Sequence, residues 1–469
     1  MARRMPAPVA TRTETVTQYR SDWKRGKVAA WVTSADHKRV GALAVCTAVA
    51  FLGLDWVLAL LLRNRFDNPS HAALARSYDD LASMQGIVLT FCVLVPLLLG
   101  LGTAMVPLQV GAKKNALPRL AATGYWLYAL GGLTLVLGWD GASYAPLPET
   151  LDGSRKDVWI VGLLVVVVGL AAMAADIVAT IAASLSRGLT YSRLPFFSLA
   201  TAAYAVLLLV SFALLAALLV LLLVDRKTRS HVLVDAGSPP NRYVFWVLGH
   251  PELYLSLLPV VGIAAELLSL PRRRRPGTAS LYLAGAAAVL VAGATVVVVL
   301  ALGPGGWRVS HHPFVVSLLH HVLLGTIVLG ALAGLFYWWP KLFGRLLGKR
   351  LGVTGLVLLV CGFALTLFGL LEAPGRTLTY DRGGFFETYG TLPRIGSALL
   401  GLGLVAFIAN TFRSARSGRR SGNDPWHGDT LEWYTTSPPP PHNFDAVPDV
   451  ESRRPLRDLR RRLGEGRSA

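Results

Sequence analysis

The sequence predicts an all-α fold: a polytopic membrane bundle of about ten transmembrane helices. Three observations predict it. Apolar runs recur from Val40 to Asn410, separated by short polar loops, and about 20 apolar residues suffice to span the hydrocarbon core. The chain of 469 residues is 53% hydrophobic and only 16% charged. Most of its 46 Lys and Arg fall in alternate inter-span segments, the asymmetry that sets orientation in membrane proteins. Backbone groups in lipid must be satisfied within their own segment, so the runs are helices and not strands.

The elements follow in order. Residues 1–39 form a basic arm, polar enough that no cleavable signal peptide is expected. Spans are predicted near 40–62, 84–108, 121–139, 157–185, 195–224, 243–269, 279–302, 314–339, 352–372 and 393–412. The first contains Asp55, an acid expected to pair with a neighbouring helix or to line a wet crevice. "PRRRRP" (271–276), after the sixth span, falls on the same side as the N-terminal arm, and so does "RRPLRDLRRR" (453–462) near the end. Both termini are therefore expected in the cytoplasm, with His311 and His312 outside. Residues 413–469 read as a basic, Pro-rich tail, extended around "TTSPPPPHNF" (435–444). The bundle itself, 40–412, is one domain. Its many glycines suit close helix packing in lipid.

The function classes narrow accordingly. A net charge of +19 invites a nucleic-acid partner, but no soluble module carries a basic patch interleaved with aromatics. Cys46, Cys92 and Cys361 all lie within spans. They have neither the even count of a disulfide framework nor metal-ligand spacing, and read as small packing residues.

Chemistry concentrates in "VFWVLGHPELYLSLLP" (244–259), which places His250, Glu252 and Tyr254 inside an apolar span. Ionisable groups at that depth are costly and face a bundle interior where they act. This stretch resembles the sixth helix of subunit I of the haem-copper oxidases, the cytochrome c and quinol oxidases. Further likenesses are "TSADHKRVG" (33–41), "VPLQVGAKKNALPRL" (106–120), "YAPLP" (144–148), "GLTYSRLPFF" (188–197), "AGLFYWWPKLFGR" (333–345) and "DPWHGDTLEWYTTSPPPPHNF" (424–444). The resemblance implies a twelve-helix core, two haems, one copper ion and reduction of oxygen to water, in many members with proton pumping.

Position by position the ligand set is incomplete. Where the family's second helix has a low-spin haem ligand, this chain has Gln85, and an amide is a poorer iron ligand than imidazole. His320 matches the other low-spin ligand, while the high-spin position is Leu318. His321 lies about 100° further round the helix and cannot substitute for it. His250 matches a copper ligand, but the interval to His320 holds one span where the family has three. The seventh and eighth helices, with the copper His pair and the Lys of one proton pathway, are read as deleted, and 279–302 as the ninth. The mouth of the family's carboxylate-led proton channel is Lys114 here, and the propionate-binding Arg pair is reduced to Arg376.

Each motif has a plainer reading. His250 is a hydrogen-bonded interior His, with Tyr254 packed beside it four residues on. Glu252 is either a proton relay or a neutral, hydrogen-bonded carboxyl. Gln85 is an interhelical hydrogen-bonding group. His320 either holds a haem from one side or is unligated.

The expectation is a degenerate oxidase subunit I homologue of the respiratory chain, an accessory or structural partner to other oxidase subunits in a bacterial or archaeal cell membrane. At most partial haem is expected at His320, and no copper. The alternatives are an active terminal oxidase and a transporter or proton conduit without a redox centre.

Overall fold

The structure, a computed structural model, describes residues 31–65, 84–139, 154–228, 251–271, 275–302, 313–371 and 391–463. Ten helices among them are long and apolar enough to cross a membrane. They are α1 (His37–Arg65), α2 (Met84–Gln109), α3 (Pro118–Leu137), α4 (Ser154–Ala183), α5 (Phe196–Thr228) and α6 (Pro251–Ser269). After these come α7 (Gly277–Leu302), α8 (Pro313–Phe343), α9 (Lys349–Leu371) and α10 (Thr391–Ser417), then a short α11 (Pro455–Arg462). Each expected span coincides with one of the ten, with ends differing by a few residues. The expected start of the sixth, 243–250, lies outside the described residues.

Local chemistry explains the boundaries. Proline opens α3, α6, α8 and α11, where its missing N–H has no intrahelical partner to lose. α2 ends at Gly111, whose φ of +74° suits a residue without Cβ; a Cβ there would also lie 2.7 Å from Ser186 Cβ. Gly344 (φ +65°) stops α8 in the same way. A π-helical stretch, Val88–Leu94, begins α2 just past Gln85.

Small residues set the packing. A Cβ on Gly124 would lie 2.6 Å from the Gly169 carbonyl oxygen, so α3 and α4 meet backbone to backbone. Gly362 and Gly396 bring α9 and α10 together likewise. Such contacts drive association in lipid, where helices gain nothing by leaving an apolar solvent. α2 and α8 form the centre of the bundle, buried over 89% and 94% of the apolar stretches within Met84–Gln109 and His321–Phe343. α7 packs chiefly on α8 and α9 and touches α6 only slightly. Its Tyr282 donates to the Gly352 carbonyl at 3.0 Å and stacks on Phe336 of α8 at 5.0 Å.

The Pro-rich C-terminal segment does not trail away as the extended tail expected from composition. α10 runs on to Ser417, and residues 418–463 fold across one end of the bundle. Lys341, at the end of α8, donates to the carbonyls of Thr435 (2.9 Å), Asn423 (3.2 Å) and Thr436 (3.3 Å). Asn443 takes a hydrogen bond from Lys38 at 2.8 Å and gives one to the Ala112 carbonyl at 2.8 Å. Val450 N–H donates to the Arg187 carbonyl. The reason is polar satisfaction: helix ends leave carbonyls unbonded, and buried lysines need acceptors. The contacts put the chain before α1 and the chain after α10 on the same side of the bundle.

Candidate functional site

Three polar clusters interrupt the apolar interior. The first surrounds Glu252, which is fully buried at the start of α6. Ser211 of α5 donates to Glu252 Oε1. Tyr204 lies one hydroxyl away: its OH is 3.0 Å from Ser256 Oγ, which in turn donates to the Glu252 carbonyl at 2.7 Å. Glu252 Oε2 is buried and has no hydrogen-bond partner. α6 breaks at Ser256 because Pro259 cannot return an N–H to Leu255.

Tyr254 stands apart from this cluster. It is 42% exposed, being two residues from Glu252 and hence about 200° round the helix. Glu252 and Tyr254, both candidates from the sequence, therefore lie on different faces of α6. His250, Arg376, His311 and His312 lie outside the described residues.

The second cluster joins α1 to α2. Asp55 is buried, 6% exposed, and half-buried Gln85 is the polar side chain beside it. Asp55 Oδ1 has no hydrogen-bond partner. One residue on, Trp56 donates from its indole to the Ser397 carbonyl of α10 at 3.1 Å, fixing the face of α1 that carries Asp55. His320 is on α8, but its side chain lies outside the described residues. The neighbouring His321 is committed to α9, its Nε2 lying 2.9 Å from Thr366 Oγ1 and 3.2 Å from the Phe363 carbonyl.

The third cluster, at the capped end, is one the sequence analysis does not single out. Glu432 of the C-terminal segment is fully buried and accepts from Gln109 Nε2 (3.1 Å) and Trp338 Nε1 (3.2 Å). Ser198, at the start of α5, donates to Gln109 Oε1 at 2.6 Å. Glu266, near the end of α6, accepts from the Phe197 N–H at 3.2 Å and faces Glu432 electrostatically. Burial pushes the Glu432 carboxyl above its ordinary range, against the lowering effect of the Gln109 and Trp338 hydrogen bonds. The signal available in the sequence is Glu266 inside an apolar span, with Gln109 and Lys341 just beyond the ends of two others.

Against known proteins, the profile described as Cytochrome C and Quinol oxidase polypeptide I matches residues 39–298 and 270–399. The chain belongs to the haem-copper oxidase subunit I family. The Nocardia farcinica "Probable cytochrome c oxidase subunit 1-beta" is 31% identical over 98% of this chain and 92% of that one. The Bacillus subtilis "Cytochrome c oxidase subunit 1" is 29% identical over 91% and 82%. The Corynebacterium glutamicum "Cytochrome c oxidase subunit 1" is 29% identical over 92% and 89%. The alignment with the Nocardia protein runs to 544 positions against a chain of 469, so this oxidase subunit I homologue is aligned with gaps. It is an integral membrane protein with bacterial relatives.

Of haem and copper, the family's cofactors, haem meets a poor fit at the one described ligand position, Gln85. Gln85 presents an amide and not an imidazole, beside a carboxyl on α1, and His321 is bonded to α9.

Proposed function

We propose that this chain is a catalytically degenerate cytochrome c oxidase subunit I homologue, a structural or accessory subunit in an aerobic respiratory membrane complex. The observation that carries the reading is Gln85: the second-helix haem-ligand position holds an amide whose neighbour is Asp55. The high-spin position, Leu318, has no donor atom. His250 has no histidine in the span that follows it, and one imidazole holds copper weakly without chelating partners. The packing of α7 on α8 and α9 supports the deletion of the two intervening family helices. So does the overlap of the two profile matches, 270–298, which falls on α7. The charge asymmetry supports cytoplasmic termini, with the C-terminal cap facing inward.

In this reading His250, Glu252 and Tyr254 are relics of a copper and proton site, and His320 with Arg376 holds at most a fraction of one haem. The test is oxygen uptake by the purified chain supplied with a reduced donor. No uptake above the rate without protein is expected. Uptake abolished by His250→Ala would restore the active oxidase.

A further inference from the structure

The α9–α10 hairpin gathers cations at the capped end of the bundle without any acid among them. Arg345, Lys349 and Arg350 lie where α8 passes into α9, and Arg413, Arg416, Arg419 and Arg420 lie where α10 ends. Residues 341–350 and 404–423 contain no Asp or Glu. The next acid along the chain, Asp424, is held by Arg460 at 2.8 Å. The backbone fixes the two groups against each other. Gly348 N–H donates to Asn410 Oδ1 at 2.9 Å, and Asn410 Nδ2 donates back to the Gly348 carbonyl at 3.0 Å. Leu346 N–H donates to the Arg419 carbonyl, and Ser421 N–H to that of Gly344. Arg345 donates to the Gly418 carbonyl. The other six cations have no acidic partner among the described residues.

The apolar surface leads directly to these charges. On α10, Leu402, Val405, Ala409 and Phe412 are exposed at three- and four-residue steps, and exposed Arg416 is the next position on that face. Phe412, 63% exposed, is the last apolar residue before Arg413. From Arg394 to Arg413 the helix rises about 28 Å at 1.5 Å per residue, close to the thickness of the hydrocarbon core. Arg413 and Arg416 therefore stand at headgroup level. On α9 the exposed Cys361, Val357 and Thr354 lead to exposed Arg350 by the same spacing. A ligand that lies along either stripe and reaches its arginine must be apolar over most of its length and anionic at one end.

We infer that the α9–α10 hairpin binds an anionic phospholipid of the bilayer, with its acyl chains on the exposed stripes and its phosphate held by Arg350, Arg413 and Arg416. The guanidinium suits this task, because its planar fork donates two parallel hydrogen bonds to phosphate oxygens. The aliphatic stem of each arginine covers apolar surface while its charge reaches the headgroups. Lys349, Arg419 and Arg420 add positive potential beside the phosphate. The site needs no haem, copper or partner subunit, so it goes beyond the accessory role and stands without it.

The experiment is a lipid titration of the full-length protein in neutral detergent, read by native mass spectrometry. The probes are dioleoyl phosphatidylglycerol and dioleoyl phosphatidylcholine, which share their acyl chains and differ in net charge. Phosphatidylglycerol is expected to bind more tightly by about tenfold or more. The combined variant Arg350→Gln, Arg413→Gln and Arg416→Gln should lose that preference, and the corresponding Lys variant should keep a preference for phosphatidylglycerol. Removing three exposed cations elsewhere at the same end, by Arg187→Gln, Arg457→Gln and Arg461→Gln together, should leave it at the wild-type value. Equal affinity of the wild-type chain for the two lipids would overturn the site. So would equal loss in the two Gln variants, because net charge and not the hairpin would then set the preference. Displacement of phosphatidylglycerol by an equal concentration of inorganic phosphate would assign the arginines to a free anion, and tighter binding of polyglutamate would assign them to an acidic protein; either result overturns the lipid.

Discussion

A carboxyl among membrane helices needs a polar neighbour, and Asp55 has Gln85 beside it. The pair is testable by truncating its neutral member. Gln85→Leu leaves the Asp55 carboxyl without its amide and is expected to lower unfolding stability by about 1–3 kcal/mol. Asp55→Asn in the same background should recover most of that loss, as read by thermal denaturation in detergent. A neutral Gln85→Leu would mean that the pair holds nothing together. Glu432 makes a prediction in pH. Its folded pKa lies above the ordinary carboxylate value, so the folded chain binds the proton more tightly than the unfolded one. Its contribution to stability is complete below the unfolded pKa and is lost as pH rises through the folded value. Glu432→Gln should flatten the decline of stability with rising pH above the ordinary carboxylate range, whereas an unchanged slope would show that Glu432 does not titrate there.

At the scale of elements, apolar length was enough to place all ten spans, because about 20 residues of hydrocarbon-facing helix leave an unmistakable run. The helix stops at Gly111 and Gly344 were less legible, since glycines are also scattered through the spans for packing. The break in α6 was implicit in Pro259, four residues past Leu255. The site was harder to read. Glu252 stood out as an acid in an apolar run, but Ser198, Tyr204 and Ser211 did not. Hydroxyls in membrane helices commonly bond their own backbone, so only the fold shows which of them face one another. Tyr254 illustrates the converse, as a family motif residue that the structure leaves exposed. Packing of α3 on α4 rests on Gly124 and Gly169. Gly124→Val should destabilise the bundle by about 1–3 kcal/mol through overpacking, with little effect expected from the same change at Gly53, which has open space around its Cβ position.

For the whole molecule, the C-terminal cap was the feature least visible in sequence. Asn443 meets Lys38 across 405 residues, and no local pattern announces so distant a contact. Composition alone favours an extended tail; the buried ends of α1, α2 and α8 supply the acceptors and donors that fold it back. The proposed orientation rests on charge: a single cysteine at position 274 should react with impermeant reagents only from the cytoplasmic side, and labelling from outside would invert the bundle. The central claim concerns cofactors, and the most direct measurement is a count of copper and haem per chain in protein purified without its respiratory partners. The account predicts no stoichiometric copper and less than one haem per chain, because Gln85 and Leu318 offer no imidazole and His250 lacks co-ligands. One copper and two haems per chain, the family's full complement, would contradict it.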